Sequence, residues 1–308
     1  MNKRIASFSA ALILLAGCES GGDGATQQPE PVDPVCDSTS VLEGGECLPF
    51  AERIDARATT PFTENGEPVE LEVVLFKPLE GERFPLLVVN HGSTGNGSDP
   101  SRFGETFVHK PTTRHFVEQG WMVAYPQRRG RGRSDGLYDE GFTPNRSGYS
   151  CEAAIALAGA ERALDDIDAV TDWLRLRADV DTTRMLISGA SRGGILSIAY
   201  LARRPEVYLG GINFAGGWSS EGCGDFATIN KTLFVDGAAF PGRSLWIYAE
   251  NDSFYSLGHS QQNFDAFTQA GGVGDFEVFR RDPGLNGHFI INDADRWGGI
   301  VDAYITGL

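Results

Sequence analysis

The chain has 308 residues, 41% hydrophobic and 22% charged, which supplies apolar material for one sizeable core and is ordinary for a globular protein. Its 26 Lys and Arg stand against 42 Asp and Glu, a formal net charge of -16. No basic cluster offers a face for phosphates, which argues against nucleic acid as a partner.

Residues 1–17 read as a targeting segment, not as fold. Lys3 and Arg4 give a positive start, residues 5–15 form an apolar stretch too short for a stable membrane span, and Leu15-Ala16-Gly17-Cys18 is a small-residue cleavage site ending in cysteine. This box resembles the bacterial lipoprotein signal. The resemblance implies export, cleavage before Cys18, lipidation of that thiol and attachment of the mature protein to a membrane through several acyl chains, since one chain alone binds only marginally. Glu19 after the cysteine resembles lipoproteins sent to the outer membrane. The alternative is a plain secretory signal in which Cys18 merely follows the cut. Residues 18–34 are Gly, Gln, Pro, Asp and Glu with almost nothing apolar, a flexible acidic tether.

Residues 35–54 form a small segment that Cys36 and Cys47 can close. In an exported chain a local disulfide is the default, and a metal site wants further ligands that are not close in sequence. Pairing Cys36 with Cys47 leaves Cys151 with Cys223, the alternative for the latter being two separate buried thiols.

From residue 55 to 308 apolar runs and helical periodicities alternate. Residues 69–76 alternate as a half-buried antiparallel strand, and 84–90 form a continuous apolar run suited to a strand covered on both faces. Further strands are expected at 121–126, 184–187, 209–214, 245–249 and 276–280, and helices at 111–119, 152–176, 192–203, 261–269 and 293–305. Such alternation predicts an α/β fold, a mostly parallel doubly wound sheet with helices on both faces.

The strand at 184–187 stops at Gly189-Ala190-Ser191-Arg192-Gly193-Gly194, where a helical pattern begins. Gly-x-Ser-x-Gly between strand and helix is a nucleophile elbow, which lifts the serine hydroxyl clear of the sheet. Together with Asn90-His91-Gly92-Ser93, Arg129-Gly130-Arg131-Gly132-Arg133-Ser134, Glu250-Asn251-Asp252 and Gly287-His288-Phe289, each in its proper place, the chain resembles the α/β-hydrolase superfamily. The likeness is to its dienelactone-hydrolase-like and prolyl-oligopeptidase-like branches. It covers essentially the whole of 55–308 and implies a serine hydrolase.

A serine hydroxyl needs a base within reach and a group that holds the base. His288 follows the last strand in a loop from which it can reach Ser191, whereas His91, His109, His115 and His259 sit at strand or helix ends. The acid belongs between serine and histidine in chain order, and Asp252 stands at a strand tip, with Asp282 and Asp225 as rivals. The expected oxyanion donors are the backbone N–H groups of Arg192 and Ser93, with Thr94 as second choice, and His91 is read as a brace. No cofactor or metal is expected.

Residues 127–150 lack periodicity and hold Arg128, Arg129, Arg131 and Arg133. These read as partners of Asp135, Asp139 and Glu140 or of carbonyls, the alternative being an arginine that grips a substrate carboxylate. A shallow pocket bordered by Trp218, Phe254, Tyr255 and Phe289 is expected, because the segment 215–243 is too short for a large lid. The substrate class that follows is a small acyl ester. A serine peptidase of aminopeptidase or acylpeptidase type, and a surface lipoprotein that uses the fold only for binding, are the alternatives.

Overall fold

Two short strands, β1 (Ser40–Glu43) and β2 (Glu46–Pro49), pair as an antiparallel hairpin at the start of the computed structural model, which describes residues 35–43 and 46–308. The expected signal, the Cys18 lipidation site and the tether lie outside the described residues. The hairpin is closed by the Cys36–Cys47 bridge, with 5.4 Å between the α-carbons. The chain then enters the main sheet at Glu52, so the first strand of that sheet begins inside the segment 35–54.

That strand, β3 (Glu52–Glu64), turns at Asn65-Gly66, both at positive φ, into β4 (Glu67–Lys77). It is absent from the elements expected from periodicity, although Asn-Gly between two extended runs is a strong hairpin signal. β4 differs from expectation as well: residues 71–76 are all buried, because the strand is flanked by neighbours on both sides. Its alternating charge, Glu72, faces protein and not water, ion-paired to Arg133 at 2.7 Å.

The remaining strands match the apolar runs: β5 (Phe84–Asn90), β6 (Met122–Pro126), β7 (Val180–Ala190), β8 (Gly210–Phe214), β9 (Arg243–Ala249) and β10 (Val273–Phe279). They are mutually parallel in the order β10-β9-β8-β7-β5-β6-β4-β3, with β3 and β4 antiparallel at one edge. Helices cover both faces, as buried parallel strands require. On one face α1 (Lys110–Val117) packs with α6 (Ala294–Thr306). On the other lie α2 (Ala153–Arg175), α3 (Arg192–Arg203), α4 (Phe226–Asp236) and α5 (Leu257–Gln269). This is the α/β-hydrolase fold.

Aromatic rings pack in the core beside the sheet. Trp246 on β9 lies 4.4 Å from Phe234 and 5.1 Å from Phe267, ring centre to ring centre, and Trp297 of α6 lies 5.1 Å from Phe214. All five side chains are buried.

Cys151 and Cys223 are bridged, with 5.1 Å between α-carbons, tying the start of α2 to the segment after β8. Asp225 reinforces the tie by accepting a hydrogen bond from the Ala153 N–H at 3.0 Å. The bridge closes a span of 72 residues, a length for which the chain-entropy model gives about 4 kcal/mol. Replacing both cysteines with serine is expected to lower the unfolding free energy by about 2–4 kcal/mol, read from denaturant midpoints. An unchanged midpoint would mean that the bridge does not constrain the unfolded chain.

Candidate active site

At the end of β7 the backbone turns through Ser191 at φ 56° and ψ -123°, a sparsely populated conformation that typically costs about 1–3 kcal/mol and is retained where surrounding structure holds it. The surroundings do hold it. The Ser191 N–H donates to the Phe214 carbonyl at 3.0 Å, and its own carbonyl accepts from Gly194 at 3.0 Å and Gly217 at 3.1 Å. Close approach dictates glycine two residues on: a Cβ at 193 would sit 2.0 Å from the Asn90 carbonyl oxygen. The turn presents Ser191 to a cavity of about 610 Å³ that also receives His288, Ser93 and Arg192.

His288 and Asp252 meet in that region. Nδ1 of His288 lies 3.0 Å from Oδ2 of Asp252, whose side chain is almost fully buried. The other carboxylate oxygen accepts the backbone N–H groups of Phe254 at 2.7 Å and Tyr255 at 3.0 Å. Both carboxylate oxygens are therefore engaged, which orients the acid and keeps the imidazole proton on Nδ1. The rivals are elsewhere: Asp282 is an exposed partner of Arg296, and Asp225 caps α2. So are the other histidines as bases. His109 caps α1, His115 pairs with Asp302 and His259 accepts from Asn230 and Asn263.

The loop carrying His288 is stapled to the loop carrying Asp252 by Asn286, a residue without a role in the sequence reading. Its side-chain carbonyl accepts the N–H of His288 at 3.0 Å and of Ser253 at 3.2 Å, and its amide donates to the Ser253 hydroxyl at 2.7 Å. Gly287 permits the contact, since a Cβ there would lie 2.2 Å from the Glu250 carbonyl. An asparagine two residues before a histidine is a recognisable Asx-turn signal. Three rings surround the imidazole, Phe254 at 4.4 Å, Tyr255 at 5.4 Å and Phe289 at 5.5 Å between centroids.

Ser191 and His288 line one cavity, and no direct hydrogen bond joins them among the described residues. The Tyr255 hydroxyl lies close enough to the Ser191 side chain for the serine to act on its titration. That hydroxyl donates to the Gly217 carbonyl at 2.7 Å, and burial raises its pKa against the opposing effect of the serine contact. Tyr255 was expected only as a pocket aromatic. Its distance in sequence from Ser191 carries no signal of the contact.

Of the oxyanion candidates, Thr94 is engaged: its N–H donates to the Tyr149 hydroxyl oxygen at 3.2 Å. The N–H groups of Ser93 and Arg192 have no acceptor among the described residues. Arg192 N–H stands in the first turn of α3, where the helix dipole favours negative charge. His91 is a brace, as expected. It is buried, receives the Arg128 N–H on Nε2 at 3.2 Å and lies 2.8 Å through Nδ1 from the Gly92 carbonyl. Burial, then the charges of Arg128 and Arg131, hold its pKa well below the ordinary histidine value, so it stays neutral.

Behind this wall stands Glu140, buried with Arg128 at 2.5 Å and Arg192 at 3.4 Å. Burial alone would raise its carboxyl, but the two guanidinium groups hold it below the ordinary range. The Arg192 side chain also donates to the Trp218 carbonyl at 3.0 Å and lies between the rings of Tyr149 and Trp218. Arg129 pairs with Asp166 at 2.5 Å and Arg133 with Glu72. Asp135 and Asp139, expected as partners in this loop, are taken by Arg57 and Arg146. At about 610 Å³ the pocket is of ordinary small-ligand size. The loop at 127–150 and the segment after β8 rise as walls joined by Cys151–Cys223, and Trp218, Phe254, Tyr255 and Phe289 all line the space between.

An elbow serine, a carboxylate-held imidazole and free backbone donors on one sheet edge define a hydrolase of the α/β-hydrolase type. The chain belongs to the X-Pro dipeptidyl-peptidase (S15) family, which matches residues 65–223. No curated protein matches. Solved structures that resemble it include an esterase from Pyrococcus furiosus at 15% identity and TM-score 0.57, covering 83% of this chain and 90% of that one. An acylaminoacyl peptidase from Pyrococcus horikoshii is 17% identical at TM-score 0.57, over 84% of this chain and 41% of that one. Dipeptidyl peptidase 4 from Porphyromonas gingivalis is 18% identical at TM-score 0.57, over 83% of this chain and 35% of that one. At these identities the likeness carries the fold alone, and this chain spans less than half of either peptidase.

Two outcomes follow from the geometry. Asn286→Ala is expected to lower kcat by about 10–100-fold with KM little changed if His288 serves as the base, because a small displacement of a base is enough for such a loss; equal kcat would remove Asn286 as a positioning residue. Glu140 has a depressed folded pKa, so its stabilisation is present above its unfolded value of about 4.3 and is lost as pH falls through the folded value. Glu140→Gln is expected to cost about 3–5 kcal/mol at neutral pH and to flatten the acid limb of stability against pH, measured by thermal melts between pH 3 and 7.

Proposed function

We propose that this protein is a carboxylic ester hydrolase that works through an acyl-enzyme. The observation that carries the reading is the His288 imidazole, held by Asp252 and opening on the same cavity as the elbow serine. In this reading Ser191 attacks the acyl carbonyl carbon while His288 Nε2 takes its proton, and Asp252 stabilises the resulting imidazolium. The N–H groups of Arg192 and Ser93 receive the oxyanion. His288 then protonates the leaving alcohol, and water attacking the acyl-enzyme by the same route frees the acid. For the proton to move, the serine hydroxyl must come within hydrogen-bond range of the imidazole, the kind of tightening that substrate binding brings to an apo site.

The family match supports a second reading, cleavage of X-Pro dipeptides from peptide N-termini. The charge of the cavity favours the ester. Its charged lining among the described residues is Arg102, Arg131 and Arg192, which repels the ammonium of a peptide N-terminus. Within the same reading, residues 1–17 are a removed signal, and lipid on Cys18 with the tether 18–34 holds the catalytic domain at a membrane of an exporting bacterium.

The experiment compares p-nitrophenyl acyl esters with X-Pro p-nitroanilides and follows labelling by a fluorophosphonate. Ester turnover and labelling are expected, both lost in Ser191→Ala, with Asp252→Asn reducing kcat by about 10³–10⁴-fold. Faster turnover of the anilides would favour the peptidase, and no labelling of the wild type would favour a binding protein. Cys18→Ala is expected to move the exported protein from the membrane to the soluble fraction; an unchanged distribution would remove the lipid anchor.

A further inference from the structure

The cavity is cationic in a chain of net charge -16. Its arginines differ in how their charge is answered. Arg192 is satisfied by Glu140 and by the carbonyls of Glu140 and Trp218 at 3.1 and 3.0 Å. Arg102 is about half exposed, and its nearest carboxylate is Glu105 at 3.8 Å.

Arg131 stands apart from the other arginines of its loop. Arg128, Arg129 and Arg133 each have a carboxylate within 2.7 Å. Arg131 has none in ion-pair contact among the described residues, although it is only 5% exposed. Its Nη2 reaches the Glu105 carbonyl at a long 3.4 Å, its guanidinium lies 5.4 Å from the Tyr138 ring centre, and Nε and Nη1, both enclosed by protein, have no partner. Glu140 is a negative charge that acts on it, and that carboxylate already answers Arg128 and Arg192. Three guanidinium groups thus share one carboxylate beside the site.

A buried cation with unfilled donors is costly unless an anion completes it. Arg131 lines the cavity with an incompletely answered charge, and Arg102 adds a second, accessible guanidinium on the same cavity, a pair that favours a carboxylate. From the unanswered Arg131 beside Arg102 we infer that the substrate is an ester carrying a free carboxylate, bound on the arginine side of the cavity. This rests on the ester reading and narrows it to anionic esters, either half-esters of dicarboxylic acids or esters of hydroxy acids.

The test uses two pairs of substrates on the whole protein. One pair sets p-nitrophenyl hemiglutarate against p-nitrophenyl valerate, with the charge on the acyl side. The other sets the butyrate ester of 4-hydroxybenzoate against that of 4-hydroxybenzamide, with the charge on the alcohol side. In at least one pair the anionic ester is expected to have a kcat/KM about 10-fold or more above its neutral partner. That ratio should fall toward one in Arg131→Gln and in Arg102→Gln. Because the ratio is taken within each protein, a loss of active enzyme cancels, and Arg102, being half exposed, gives a variant that does not disturb the core. Neutral esters preferred in both pairs, or a ratio that neither substitution changes, overturns the inference and leaves the ester reading standing. Turnover of none of the four esters overturns the ester reading and this inference with it.

Discussion

The contact on which the site depends is the approach of the α3 backbone to the end of β5, where residue 193 passes against the carbonyl of Asn90 with no room for a side chain. β5 and β7 are in register there, Asn90 opposite Gly189, so the loops leaving both strands start at one level of the sheet. Ser191 and the His91-Gly92-Ser93 loop are adjacent for that reason. The Asn90 side chain adds to the same junction by donating to the Ser197 hydroxyl at 3.0 Å, which in turn donates to the Gly193 carbonyl at 2.7 Å. The strained serine is held by backbone packing from three strands, and its energetic cost is spread over contacts that form only in the folded sheet.

A second layer is electrostatic. Glu140 accepts from Tyr138 at 3.1 Å, Tyr138 pairs with Tyr149 at 2.6 Å, and Tyr149 receives the Thr94 N–H, so one carboxylate reaches the loop after β5 through two phenols. Through Arg128 it reaches His91, and through Arg192 it reaches Trp218 on the opposite wall. Buried ion pairs contribute little net stability once desolvation is counted. What this one does is make three walls of the cavity share a single geometry. Asn230 fixes the Trp218 wall from outside by accepting the Trp218 and Ser219 N–H groups at 2.8 and 3.0 Å.

The parts of this arrangement legible in the sequence are those where chemistry restricts residue type locally. Small residues around Ser191 announce a tight turn, buried parallel strands announce themselves as apolar runs, and a place just past a strand tip separates Asp252 from Asp225 and Asp282, which share its order in the chain. The close spacing of Cys36 and Cys47 anticipates the first bridge, and Cys151–Cys223 is the pair that then remains. What stays hidden is long-range pairing. Glu140 and Asp139 are neighbours in one aperiodic loop with the same apparent role, yet one is the buried hub and the other faces Arg146 at the surface. Glu72 looks like the solvent side of an alternating strand until the loop after β6 folds over it. Tyr255 lines one cavity with Ser191 only because β9 and the elbow end at the same sheet edge.

The charge of the whole molecule and the charge of its cavity have opposite signs, and they act over different distances. A net charge of -16 repels an approaching anion, but in physiological salt exposed charges are screened beyond about 8 Å. Arg131 is buried, where water and counterions screen it far less, and it acts on a ligand at hydrogen-bond range. For an anionic ester, encounter is therefore slowed by the surface while the bound state is stabilised by the cavity. Added salt relieves the first effect more than it weakens the second, which makes the arginines, and not ionic strength, the informative variable for the preference of this site.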